Sequence, residues 1–581
     1  MSDSTPRIEQ DRQLILDAAK RGTGPKFWAY TKLSGPGWLQ SAITLGSGSL
    51  AGGLFLGVLA GYGLMWLQPL AMILGVVMLS AIGYVALSTG ERPFDSINRH
   101  VSPVLGWGWA IATLMANMVW CMPQFGVGTE AIQQNLAPGL FGPDAMDPDD
   151  SRIAVVAILF GISSLVVWFY DSGGWGIKLF EGLLKIMVGI IVVCFFGVVV
   201  KMSLSSDGLP WGSIFRGFIP DFDLLSEPSP AFDGYLAATG EYASFWSGKI
   251  VRMQQKVMIT AAATAVGINM TFLLPYSMLR RGWNKDFRGL AIFDLATGLF
   301  VPFLLATSCI VIAAATQFHA QPAPGLLGET NERGDVIRPA KSLVGKFNTL
   351  TATRIQAELD KAGSAAITTL SPEEIESRRA ALPQADRQLA AMLVKRSAFD
   401  LAGSLERLTG KGTSQYVFGV GVVGMAISSI IILMLINGFV VCEMLGVPSK
   451  GTAHRIGCLL AAASGAMGPF LFPGGSNFWI AVPTSMFGMV LLPIAYFTFL
   501  LLMNSPDLLG EHMPRGFRRL GWNVLMVIAT LLASFGSYWS IRTSDYARYG
   551  FTGLGLFIAL AVVFHFRRDH VPKGDAPETN A

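Results

Sequence analysis

Long apolar runs separated by short polar stretches dominate this chain. A run of about 20 apolar residues crosses a hydrocarbon core of roughly 30 Å. Such runs fall at 36–60, 64–88, 104–136, 152–170, 177–201, 257–279, 287–317, 415–445, 455–473, 478–503, 518–541 and 548–567. They predict an all-α polytopic membrane protein with about 12 transmembrane helices. Barrel strands would read instead as alternating segments of about 10 residues. The run at 104–136 is longer than one crossing needs and predicts a turn near Pro138.

Two of these runs are interrupted near mid-membrane. The first carries Gly46-Ser47-Gly48-Ser49 within Trp38 to Leu59. The sixth carries Gly267-Ile268-Asn269-Met270-Thr271, followed by Pro275. Glycine and asparagine are poor helix residues, and proline removes a backbone hydrogen bond. An unwound membrane helix is tolerated only where its free backbone groups face protein, water or a ligand. Paired breaks five spans apart are the mark of a five-plus-five inverted repeat of the LeuT type, with substrate held between them. The candidate substrate site is therefore Gly46, Ser47, Gly48, Ser49, Ile268, Asn269, Met270 and Thr271. Gly52, Gly53 and Gly57 are read as helix-packing positions, because small residues let membrane helices approach closely.

Composition agrees with the run pattern. Hydrophobic residues make up 52% of the 581, and charged residues 14%, against roughly a quarter in soluble proteins. The net charge of +4 points to no polyanionic partner, and no basic patch interleaved with aromatics suggests nucleic acid. Cys121, Cys194, Cys309, Cys442 and Cys458 lie in or beside apolar runs and read as small buried hydrophobes. No nucleophile–base arrangement, P-loop or dinucleotide fingerprint marks an enzyme, and no cofactor is implied. Residues 1–35 lack a signal-peptide core and read as a cytoplasmic segment with a short surface helix over Gln10 to Lys20.

Basic residues in short loops set orientation. With the N-terminus in the cytoplasm, the candidates for that side are Arg92, Arg99, Arg280, Arg281, Lys285, Arg288, Lys450, Arg455, Arg515, Arg518, Arg519, Arg567 and Arg568. The loop with Asp144, Asp147, Asp149 and Asp150 falls outside. A strict alternation is expected to misplace at least one of these loops, so one long segment, most naturally 104–136, is expected to be miscut. The expected division is spans 1–7 over 36–317, an extracytoplasmic helical insertion over 318–414, spans 8–12 over 415–567, and a cytoplasmic tail over 568–581. In the insertion, Ser371-Pro372-Glu373-Glu374 offers an N-cap, a proline at the first helical position and a glutamate at the third. Further helix is expected over Gln384 to Leu408. Such an insertion serves as a cap or regulatory element, or as a solvated spacer.

Several short motifs, in order along the chain, resemble one family. Gly35-Pro36-Gly37-Trp38-Leu39 resembles the start of the first span of NRAMP (natural resistance-associated macrophage protein) divalent-metal transporters. Ala60-Gly61-Tyr62-Gly63, Leu64-Met65-Trp66 and Thr89-Gly90-Glu91 resemble the flanks of their second span. Ser277 to Trp283 resembles the end of their sixth. Phe418-Gly419-Val420-Gly421 with Ser428-Ser429 resembles their eighth. Val482-Pro483, Leu492-Pro493 and Leu509-Gly510-Glu511 resemble their tenth span and the loop after it. The resemblance implies a LeuT-type secondary carrier of a divalent metal ion. It also exposes a departure. That family binds its metal with the Asp and Asn of an Asp-Pro-Gly-Asn motif in the first break and with a Met in the sixth span. Here Gly46 stands for the Asp, Ser47 for Pro, and Ser49 for Asn, while Asn269 falls near the Met with Met270 beside it. No histidine occurs in the sixth span. Carboxylate compensates a divalent cation for lost water, and thioether selects transition metals. Ser47, Ser49, Asn269 and Met270 are the metal-binding candidates under this reading, with magnesium or manganese as the ion.

Other ionisable positions are weighed singly, since charge within a membrane is costly and usually functional. Glu130, late in the third span, is a candidate vestibule residue or a loop hydrogen-bond acceptor. Glu181 and Lys185, four apart in the fifth span, share a helix face and read as a gating or structural pair. Met115, Met118, Cys121 and Met122 read as packing. Two alternatives stay open: a carrier of a small organic solute such as an amino acid or carboxylate, and a transport-dead receptor. The expected location is the bilayer of a bacterial inner membrane with both termini cytoplasmic. The sequence does not give an oligomeric state.

Overall fold

A computed structural model describes residues 4–171, 174–205, 208–330, 334–363, 367–409, 412–472 and 477–568. Among these residues, ten helices are long and apolar enough to cross a membrane. A bent pair, Pro36–Thr44 and Ser47–Ala60, makes an eleventh crossing. The expected ninth span is Gly451–Ala466, 16 residues, followed by the short helix Gly468–Leu471. The N-terminal surface helix is longer than expected, Ser4–Arg21, and a second helix, Thr23–Leu33, leads to the first span.

The first and sixth spans are both broken. The halves of the first meet at 55°. In the sixth, Ala243–Ala265 gives way to Ile268–Arg280 through two extended residues, Val266 (φ −141°, ψ 115°) and Gly267 (φ −91°, ψ 164°). A glycine in extended conformation precedes the second helix in each case, Gly46 in the first span and Gly267 in the sixth.

Small residues let the first span nest against its neighbours. A Cβ on Gly57 would stand 2.7 Å from the Ala315 nitrogen and 2.8 Å from the Val311 carbonyl, both in the seventh span. Gly53 faces Ile310 of the same span, and Gly52 faces Ala261 in the sixth. These glycines pack, as their spacing suggests. The five cysteines are all buried and none is in a disulfide. Cys121 packs under Gly465, the Met118 carbonyl accepts from Ser464 at 3.1 Å and Met122 lies against Gly468, so these three positions form a seam against the ninth span, while Met115 is exposed.

The third span is one helix, Pro103–Ala131, ending in a π-turn over Ile132–Leu136. The expected miscut there is therefore corrected. Segments that follow even-numbered spans, together with the N-terminal helix, bond to one another on one face of the bundle. Arg92 pairs with Glu443 at 3.1 Å. Arg280 donates to the carbonyls of Ser449 and Tyr170, and Arg288 to Ser88. Tyr84 donates to the His512 carbonyl at 2.7 Å, and Arg12 pairs with Asp286 at 2.6 Å. Plain alternation of twelve helices already places these loops together, so no segment needs recutting.

The insertion forms helices Lys341–Lys361, Pro372–Ala381, Gln384–Met392 and Ala398–Thr409. The capping box is present: Glu374 N donates to Ser371 Oγ, and Ser371 N to Glu374 Oε2. A buried ion pair inside the insertion is joined to the sixth span by Trp246. Arg354 and Asp386, 2% and 1% exposed, meet at 2.9 Å, and Trp246 donates its indole N–H to the same Asp386 at 2.5 Å.

Candidate functional site

The two breaks face each other across a cavity of about 30 Å³, room for at least one water. Ile43, Thr44, Gly46, Gly48 and Ser49 line it from the first span, and Ala263, Thr264, Gly267, Asn269 and Met270 from the sixth. Trp120 and Gln124 of the third span and Leu433 of the eighth complete the wall. Of the expected site residues, Gly46, Gly48, Ser49, Asn269 and Met270 are thus brought together. Ser47, Ile268 and Thr271 are buried but do not line the cavity. Thr271 accepts instead from the Trp109 indole at 2.9 Å.

Each break is closed by hydrogen bonds that replace those the helix has lost. Ser49 Oγ donates back across the first break to the Thr44 carbonyl. From the eighth span, Ser428 and Ser429 donate to the Ala42 carbonyl at 3.0 and 3.2 Å. The amide of Ser47, free at the start of the second half, donates to Gln124 Oε1 at 3.0 Å. In the sixth span Asn269 Oδ1 accepts from Met270 N at 2.9 Å. Thr44 lies 3.3 Å from Met270 Sδ, and Gln40 Nε2 donates to the Met270 carbonyl at 3.4 Å, joining the two breaks directly. Ser47 Oγ and Gln40 Oε1 are buried without a hydrogen-bond partner.

The wall offers hydroxyl, amide and carbonyl oxygens, one thioether from Met270 and one indole face from Trp120, and no ionisable side chain. Among the described residues no group of three or more His, Cys, Asp or Glu could hold a metal ion. Such a wall can hold a single small cation by dipoles, but it cannot neutralise it.

A second polar centre anchors the start of the first span. Asp294 of the seventh span, fully buried, accepts from Ser34 Oγ, from Gly35 N at 3.0 Å and from Gly37 N at 2.6 Å. It caps the helix that begins at Pro36, where amides lack intrahelical partners. Arg281 packs over Gly35 and forms an ion pair with Glu181, and Lys185 donates to the Ser34 carbonyl at 2.7 Å. Glu181 and Lys185, expected as a pair, lie within electrostatic reach of each other, and each also holds a partner on another segment. An i,i+4 pair contributes only about 0.2–0.5 kcal/mol, so a half-buried guanidinium or a free helix-end carbonyl competes readily for either member.

Glu130 is buried and within electrostatic reach of Lys346 in the insertion. Burial pushes the Lys346 ammonium below its ordinary pKa, opposed by Asp400 and Glu130. Burial, with Lys346 and Lys256 nearby, lowers Lys395 to about 8.

Sequence reasoning did not find Trp120, Gln124, Thr44 or Thr264. Ser428 and Ser429 carried a signal as paired hydroxyls in an apolar run that resembles the family's eighth span.

The comparisons with known proteins agree on one relationship. A family model described as natural resistance-associated macrophage protein-like matches residues 37–346 and 386–541. Two metal transporters of Populus trichocarpa, Nramp3.2 and Nramp3.1, are each 26% identical over 182 residues. The match spans 29% of this chain and only 30% and 31% of those proteins. The fold is similar to a crystal structure of the Eremococcus coleocola manganese transporter in complex with an aromatic bis-isothiourea compound. There the TM-score is 0.56 at 13% identity, covering 93% of this chain and 92% of that one. A mutant of the same transporter gives a TM-score of 0.52 at 14% identity, covering 94% and 97%. At such identity the likeness speaks for the LeuT-type fold alone.

Proposed function

Because this chain belongs to the natural resistance-associated macrophage protein family, we propose that it is a secondary carrier moving a divalent metal cation across a lipid bilayer by alternating access. The observation that carries the proposal is the small cavity between two facing helix breaks, walled by oxygen donors and one thioether. Its volume of about 30 Å³ admits a water or a single ion. Substrate contacts come from Ser49, Asn269, Met270, Gly46 and Gly48, with Ser47 supporting the break from behind.

Without a carboxylate the site compensates poorly for full dehydration, which favours a hard ion that keeps part of its water, such as magnesium. Met270 keeps one soft donor in reach, so manganese is the second candidate ion. No proton carrier lines the cavity, so metal movement is not coupled there to a titrating side chain. The basic loops on the N-terminal face support a cytoplasmic side for that face and both termini, with a bacterial inner membrane as the proposed location. The insertion then lies outside, with Glu130 beneath it in the external vestibule.

Uptake of magnesium and manganese into proteoliposomes tests this, with internal pH followed. Saturable flux that Asn269→Ala and Ser49→Ala weaken, without internal acidification, supports the proposal. Folded protein that carries neither ion overturns it.

A further inference from the structure

Gly46 has φ −115° and ψ −171°, an extended conformation that any residue adopts. Its backbone does not require glycine; its surroundings do. A Cβ there would stand 2.5 Å from Ser429 Oγ, 3.2 Å from Gln124 Nε2 and 3.2 Å from the Ile43 carbonyl. The place where a side chain at position 46 would enter the cavity is filled from outside the first span, by a hydroxyl of the eighth and an amide of the third.

Both groups are held in that place. Ser429 directs its hydroxyl toward the carbonyls of Ala42 at 3.2 Å and Ile43 at 3.4 Å. Its proton is thereby used on the helix end, and its lone pairs remain for another donor. Gln124 uses Oε1 on the Ser47 amide at 3.0 Å, which turns its NH₂ toward Gly46. The consequences are linked. Carbonyls that a bare cation would use are already engaged by serine hydroxyls. The amide presents positive hydrogens, which disfavour a bare cation and tolerate a hydrated one. A hydroxyl lone pair beside the cavity can accept from a metal-bound water.

We infer that Ser429 and Gln124 are specificity-determining residues: standing in the space of a side chain at position 46, they set the site for an ion that retains part of its hydration shell. This deepens the metal-carrier reading and rests on it.

The test measures calorimetric binding of manganese and magnesium to the full-length purified protein, with proteoliposome uptake beside it. The variants are Gly46→Asp, Ser429→Ala and the two combined. Gly46→Asp alone forces its Cβ onto Ser429 and is expected to lose binding of both ions. Combined with Ser429→Ala, the carboxylate has room, and manganese is expected to gain over magnesium by about tenfold. Ser429→Ala alone removes only a hydroxyl, since Ser428 still bonds Ala42. It keeps the test open if the aspartate variants fold poorly, and is expected to lower magnesium affinity relative to manganese. A wild-type ion preference in both Ser429→Ala and the combined variant, or a Gly46→Asp single variant that matches the combined one, overturns the inference while the carrier reading stands. Wild-type protein that binds and carries neither metal overturns the carrier reading, and the inference with it.

Discussion

Replacing Asp294 by alanine should loosen the start of the first span, and the structure sets the size of the effect. The carboxylate accepts from three donors, Ser34 Oγ, Gly35 N and Gly37 N, in a fully buried setting. Alanine leaves all three without a partner. A buried donor so orphaned costs about 1–3 kcal/mol, so the three together come to on the order of 3–6 kcal/mol after some relaxation. Asparagine keeps one acceptor oxygen but sets an NH₂ against at least one of the donors, whichever way the amide turns. Its expected cost is about 1–3 kcal/mol. Ser34→Ala, which removes one bond to a charged acceptor, belongs near about 1.5–3 kcal/mol. Thermal unfolding in detergent should therefore rank wild type above Asp294→Asn, and that above Asp294→Ala. Amide exchange should rise in residues 34–44 and much less in the seventh span beyond Phe300. If Asp294→Ala melts with wild type and residues 34–44 exchange no faster, the carboxylate does not hold this helix and its capping role is refuted.

Three further outcomes rest on the same geometry. Asp386→Ala leaves the Trp246 indole without its acceptor and Arg354 with Glu358 alone, so the insertion should loosen by about 1–3 kcal/mol; limited proteolysis over 341–392 should rise while metal uptake persists, and loss of uptake would refute a purely structural cap. Lys395 titrates at about 8 in the folded chain against an ordinary value of 10.5, so the unfolded chain holds the proton longer. Stability should then rise with pH between about 8 and 10.5, and Lys395→Met should flatten that rise in a melting series. Gly57→Leu drives a side chain into the Val311 carbonyl and the Ala315 nitrogen and should destabilise by about 1–3 kcal/mol or more. A Gly57→Leu protein with the wild-type melting point would mean that the first and seventh spans do not pack as closely as they do here.

The fold was largely legible because the membrane imposes it. Hydrocarbon leaves helix as the one way for an isolated segment to satisfy its backbone, so apolar run length reads almost directly as a span. The difficulties arose where length misleads. Gly451–Ala466 is a short crossing, and Pro103–Leu136 is a long one that stays in one piece. The capping box at Ser371 was readable for the opposite reason: it is a local bond between neighbours in sequence, independent of the groups packed around it.

The site divides along the same line. A helix break is written in its own residues, because glycine, serine and asparagine weaken the helix wherever they stand, and Gly46, Ser49, Gly267 and Asn269 announced theirs. The groups that close a break are written elsewhere. Ser429, Gln124 and Trp120 sit inside regular helices whose sequence serves packing as well, and nothing local distinguishes a serine that bonds its own turn from one that crosses to Ala42. Glu181 and Lys185 show the same ambiguity with charge: their spacing allows a pair, yet Arg281 and the Ser34 carbonyl supply partners that spacing cannot reveal. Local breaks therefore indicate where a substrate sits, while the residues that decide which substrate come from other spans. Substituting the break alone, as Gly46→Asp does with Ser429 in place, should abolish binding rather than exchange one ion for another.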